Sequence, residues 1–123
     1  MLFRSHLIRK SLPASAVLIN LSEEGWFGNS LAPHQRLQMA RMRAMESGRA
    51  LIRASNNGLS ALISAKGKLL TVAPQFQPDT VRGSVVPMSG VTPFVRLGNL
   101  PILLLSVLVI AGSFLKRFRY RTV

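Results

Sequence analysis

The residues best able to do chemistry lie together in Leu21 to Ser30, LSEEGWFGNS, which holds the single Trp, a following Phe and two of the four acids. Glu23 and Glu24 are of the type that moves protons, but adjacent carboxylates in a loop point apart, and a loop aromatic serves as a lid or as packing. The chain has no Cys, which removes thiolate nucleophiles, disulfides and thiolate metal sites together. His6 and His34 lack the spacing of a metal pair, so no metal site and no cofactor is expected. No G-x-S-x-G occurs, Asp79 follows Pro78 in an apparent turn, and GNSLAPHQ lacks the Lys and glycine spacing of a phosphate loop.

Sixteen Lys and Arg against four acids give a net charge of +12, which suits nucleic acid, anionic lipid or acidic protein groups as partners. The basic residues are dispersed. Arg36, Arg41, Arg43 and Arg49 alone approach a stripe, with no aromatic residue interleaved for stacking, so a solvated helix face is expected and no nucleic acid.

The elements that must position the Trp loop follow from periodicity. Ala16 to Leu21, AVLINL, is a short apolar run that reads as a buried strand ending at the loop. His34 to Ser47 consists of strong helix formers, with Pro33 at the entry and Gly48 at the left-handed cap position. On that helix Leu37, Ala40, Ala44 and Met45 share an arc that Met39 and Met42 extend, with Arg36 and Arg43 on another side. Arg41 falls inside the arc, either snorkelling over the core or pairing with Glu23, Glu24 or Glu46.

Strands are expected at Ala50 to Ser55, Leu59 to Ser64 and Leu69 to Ala73, separated by NNG and AKGK, where Gly58 and Gly67 can adopt positive φ. A last strand is expected at Thr80 to Val86. Leu97 to Leu115 carries no charge and as a helix would extend roughly 28 Å, close to a bilayer's hydrocarbon thickness. KRFRYR follows, giving a basic flank that would place the C-terminus in the cytoplasm and the preceding residues outside. MLFRSHLIRKSLPASA is basic without an uninterrupted apolar core and reads as mature sequence.

LINLSEEGWFGNS, then QMARMRAMESGRALIRASNNGLSALISAKGKLL, then SGVTPFVRLGNLP occur in an order that resembles the C-terminal part of bacterial apolipoprotein N-acyltransferases, a nitrilase-type branch of the carbon–nitrogen hydrolases. The resemblance, from about Ser15 to Arg121, implies an α/β fold: a partial nitrilase-like α-β-β-α sandwich followed by one C-terminal transmembrane helix. It implies residues 1–88 as the C-terminal portion of the acyltransferase domain, 89–96 as connector, 97–115 as transmembrane helix and 116–123 as a basic cytoplasmic tail.

That family moves an acyl chain from a phospholipid to the N-terminal cysteine of lipoproteins, using a Glu–Lys–Cys triad. The triad lies upstream of the matching segment; Lys10, Lys66 and Lys68 stand in the wrong segments, and Glu23, Glu24 and Glu46 do not match the general base, so no catalytic residue is carried over. Trp26 and Phe27 match the family's Trp-Phe-Gly loop near the active-site mouth, where they either contact substrate acyl chain or only pin the loop. The chain departs by having Glu23, Glu24 and Gly25 where Asn-Asp-Ala or Asn-Asp-Gly is usual, and Leu100 where Trp is common.

The expectation is a fragment, inactive alone, at the bacterial inner membrane with its domain on the periplasmic side. Its implied partners are the membrane, phospholipid, a lipoprotein N-terminus and a missing N-terminal half. The alternative is a non-enzymatic small membrane protein, the partner subunit of a separately encoded N-terminal half.

Overall fold

The computed structural model describes residues 10–12 and 14–119, in two units, Met1–Thr92 and Pro93–Val123. In the first unit strand β1 (Val17–Glu23) leads through a 3-10 turn (Gly25–Phe27) into helix α1 (Ala32–Ser47), which returns the chain to β2 (Ala50–Asn56). A helix between two strands brings them side by side in parallel, and β1 pairs with β2 from Val17↔Ala50 to Glu23↔Asn56. Antiparallel β3 (Ala61–Ile63) and β4 (Leu69–Val72) complete a mixed sheet in the order β1-β2-β3-β4.

Helix α1 forms where its residues predict. Pro33 stands in the first turn, where its missing N–H costs nothing. Gly48 closes the other end at φ 63°, with its own N–H reaching Met45 O and the Arg49 N–H reaching Ala44 O. Ala40 and Ala44 are fully buried, and their small side chains let the helix lie close on Leu51, Ala61 and Ile63 of the sheet. Leu37 and Leu59 join this core, with Leu18 and Leu69 packed against it.

Side chains alternate across a sheet, so Leu18 and Leu51, partners in register, share the helix face while Ile19 and Leu21 point to the other. Ile19 and Leu21 are 71% and 79% exposed. The run expected to be a buried strand is therefore an edge strand, with Leu18, Asn20 and Ser22 half-buried on the helix side and Ile19 and Leu21 exposed on the other.

Several expectations are corrected. The α-β-β-α sandwich with a transmembrane helix gives way to one helix on one mixed sheet, and among the described residues no helix is long and apolar enough to cross a membrane. In the second unit Gly98, at φ 58°, ends the short helix α2 (Pro93–Leu97), and α3 (Leu100–Arg119) starts afresh. The uncharged helical run thus shortens to Leu100–Leu115, about 24 Å against the ~30 Å of a hydrocarbon core. Thr80 to Val86 is not a strand, because Pro78, Gly83 and Pro87 punctuate it. At the NNG turn it is Asn57, not Gly58, that takes positive φ, at 57°.

Candidate functional site

The C-terminal ends of β1 and β2 gather the chain's unusual residues. The Glu24 N–H bonds Asn56 O at 3.1 Å, carrying the parallel ladder one residue past β1, and the Phe27 N–H bonds back to Glu24 O at 3.1 Å to close the turn. Glu23 accepts from the Gly25 N–H at 2.8 Å and from Asn56 Nδ2 at 2.7 Å. The Asn56 amide, then the Gly25 N–H, hold the Glu23 carboxyl below its ordinary pKa by favouring the charged form.

The two adjacent acids do point apart. Glu24 turns inward to the helix side, 1% exposed, and pairs with Arg53, which is 2% exposed. The Arg53 Nε also donates to Leu59 O at 3.1 Å and its Nη1 to Asn20 Oδ1 at 3.3 Å, so the guanidinium ties β1, β2 and the approach to β3 together. Among the described residues Glu24 Oε2 has no hydrogen-bond partner. It lies where a side chain at 58 would be: a Cβ on Gly58 would come 2.0 Å from Glu24 Oε2 and 2.3 Å from Ser55 Oγ.

Trp26 and Phe27 part company in the same turn. Trp26 is 87% exposed, while Phe27 lies under the Arg36 guanidinium, 4.5 Å from its ring centroid, and helix α1 is thereby fastened to the turn. Gln75 Nε2 donates to Asn57 O at 3.2 Å, linking the following loop to this end of the sheet. Between the loop and the sheet lies a cleft of about 310 Å³ bounded by Asn56, Gly58, Ser60, Phe76 and Asp79.

Of the basic residues that the sequence places on a solvated helix face, Arg49 is buried and Arg41 is half-buried. Arg41, weighed between snorkelling and a carboxylate, donates from Nε to the backbone oxygen of Gly67 at 2.8 Å and from Nη1 to Gln38. Arg49, just past the helix cap, is buried and bonds Ser15 O at 2.7 Å, Leu12 O at 3.1 Å and Gly90 O at 2.7 Å. The role of Arg53 and the burial of Arg49 are not legible in the sequence, because a single Arg in a strand or after a cap carries no periodic signal; a charge inside an apolar run is the one hint available. His6 lies outside the described residues.

Chemically, this end of the sheet offers a buried ion pair, exposed amides and an exposed indole. Glu24 is engaged by Arg53 and Glu23 by Asn56 and Gly25, so both carboxylates shape the turn.

Residues 2–90 match the family model described as carbon-nitrogen hydrolase. The chain is 42% identical over 108 residues to an apolipoprotein N-acyltransferase of Methylococcus capsulatus, covering 88% of this chain and 21% of that protein. It is 50% identical over 91 residues to that of Haemophilus influenzae, with 74% and 17% covered, and 45% identical over 103 residues to that of Azotobacter vinelandii, with 84% and 20% covered. The chain thus spans about a fifth of the length of these relatives.

Proposed function

The chain belongs to the carbon–nitrogen hydrolase family, and from that premise we propose that it supplies one part of an apolipoprotein N-acyltransferase, building the mouth of the site without the reacting groups. The reaction is transfer of a phospholipid acyl chain to the N-terminal cysteine of a lipoprotein. The observation that carries this reading is that a chain at 42–50% identity to these enzymes has no Cys to take the acyl group as a thioester. Removal of a nucleophile costs up to about 10⁶ in rate where hydrolases have been dissected, so the chain alone is inactive. The nucleophile comes from elsewhere in the assembled enzyme, in the same polypeptide or in another.

Trp26 belongs to substrate in this reading, and Phe27 holds the turn that presents it. The exposure of the first and the Arg36 stacking of the second support this division. The partner-subunit alternative is favoured by the place of β1 at the sheet edge among the described residues, where a further strand can add, and by its exposed Ile19 and Leu21.

The test is acyl transfer from phospholipid to a lipoprotein-type N-terminal cysteine peptide, followed by mass. The chain alone should give no product, and the chain mixed with the remaining portion of a relative should. Product from the chain alone, or none from a mixture in which the two parts bind, would overturn the proposal.

A further inference from the structure

Beside the Trp26 turn, two guanidiniums face one carboxylate. Arg53 Nη2 is bonded to Glu24 Oε1, and Arg36 Nη1 stands 3.8 Å from that same oxygen, beyond hydrogen-bond distance. One negative charge is shared between two positive ones, and Arg53, fully enclosed, has the better claim. Glu23 forms no ion pair with Arg36 among the described residues, its carboxylate being held by Asn56 Nδ2 and the Gly25 N–H. Arg36 is left with a charge neutralised in part and with no hydrogen bond to any described residue, its side chain 38% exposed.

An exposed Arg is ordinarily a mobile, hydrated group, and binding through it costs the ordering of a long side chain. Arg36 is held differently. Stacking over Phe27 and attraction to Glu24 restrain the guanidinium, so part of that ordering is already done when a ligand arrives. The residue before Phe27 in the chain is Trp26, whose indole is exposed. A planar fork of donors suits an oxyanion with two oxygens to offer, and an indole suits a hydrocarbon chain.

We infer that Arg36, stacked on Phe27, is an oxyanion-binding residue for a phosphate ester that carries an apolar chain laid against Trp26. The choice of phosphate over other oxyanions rests on the acyltransferase reading above. Arg36 acts as a specificity-determining contact for the donor and takes no part in bond making.

The single Trp makes the test direct. Fluorescence of the chain is titrated with monomeric dihexanoyl phosphatidylglycerol, with inorganic phosphate, and with a neutral maltoside of comparable chain length. The phospholipid should shift Trp26 emission to the blue saturably, inorganic phosphate should compete without causing the shift, and maltoside should bind far more weakly. Arg36→Gln should raise the half-saturation concentration about tenfold, the worth of one charge-assisted hydrogen bond, with far-ultraviolet circular dichroism unchanged. If Arg36→Gln alters the fold, competition by phosphate on the parent chain decides instead.

Equal titration of parent and variant, an equal response to maltoside, or no competition by phosphate would overturn the inference. Binding of phosphate as tight as that of the phospholipid would mark a free-phosphate site and overturn the lipid half. None of these readouts uses acyl transfer, so the site and the acyltransferase reading fail separately.

Discussion

Glu24 Oε1 accepts a hydrogen bond from Arg53 Nη2 across the ends of two parallel strands, and neither side chain reaches solvent. A buried pair is weak evidence for stability as a pair, because desolvation offsets its attraction, but removing one partner strands the other. Glu24→Gln should destabilise the first unit by about 3–5 kcal/mol in denaturant unfolding. Glu24→Gln combined with Arg53→Met should cost less than the two single changes added, since no uncompensated charge is then buried. Additive losses would show that the pair is not coupled.

Gly58 is required by that carboxylate and not by its own backbone angles. A Cβ there meets Glu24 Oε2 and Ser55 Oγ well inside contact distance, and both groups are held. Gly58→Ala should therefore cost about 3 kcal/mol, at the upper end of single substitutions, through displacement of Glu24. Gly28, with open space around its Cβ position but φ 49°, should lose less, of the order of 1 kcal/mol from backbone strain alone. Thermal unfolding of the two variants gives the order.

Glu23 gives the chain an acid-sensitive element. Its folded pKa is depressed below the ordinary carboxylate value by Asn56 and Gly25, so its contribution is full above the unfolded value and is lost as pH falls through the folded one. Unfolding midpoints measured from pH 7 down to about 3 should fall on the acid side, and Glu23→Gln should flatten that fall. Identical acid limbs for parent and variant would contradict the assignment.

Arg49 fastens two separate segments, the stretch holding Leu12 and Ser15 and the one holding Gly90, through their backbone oxygens. Arg49→Met keeps the stem but leaves the buried Leu12 carbonyl and the less enclosed Ser15 and Gly90 carbonyls without this donor, at roughly 1–3 kcal/mol for each one that stays dry. Limited proteolysis should then cut earliest near residues 12–15 and 88–90, before the sheet is attacked. A cleavage pattern unchanged from the parent would contradict this role.

Helix α1 was legible in the sequence because its signals are local: a run of helix formers, Pro33 at one end and Gly48 at the other. The strands after it were legible for the same reason, turn residues dividing short apolar runs. The Glu24–Arg53 pair was not, since it joins residues far apart in sequence that become neighbours only after α1 brings β2 beside β1. The edge position of β1 was hidden as well: Ile19 and Leu21 read as core, and nothing local tells which face a neighbour covers. The membrane-spanning expectation rested on apolar composition from Leu97 onward, and composition does not show that the left-handed backbone at Gly98 separates Leu97 from the helix that starts at Leu100.

If the missing part of the enzyme pairs along the edge strand β1, amide hydrogen exchange of Val17–Glu23 reports that pairing. In the isolated chain the amides on the free edge of β1 should exchange fast, and on mixing with the remaining portion of a relative they should slow by at least about tenfold as their N–H groups are paired. Acyl transfer restored in the mixture with β1 exchange unchanged would contradict the account, for the catalytic part would then have docked elsewhere.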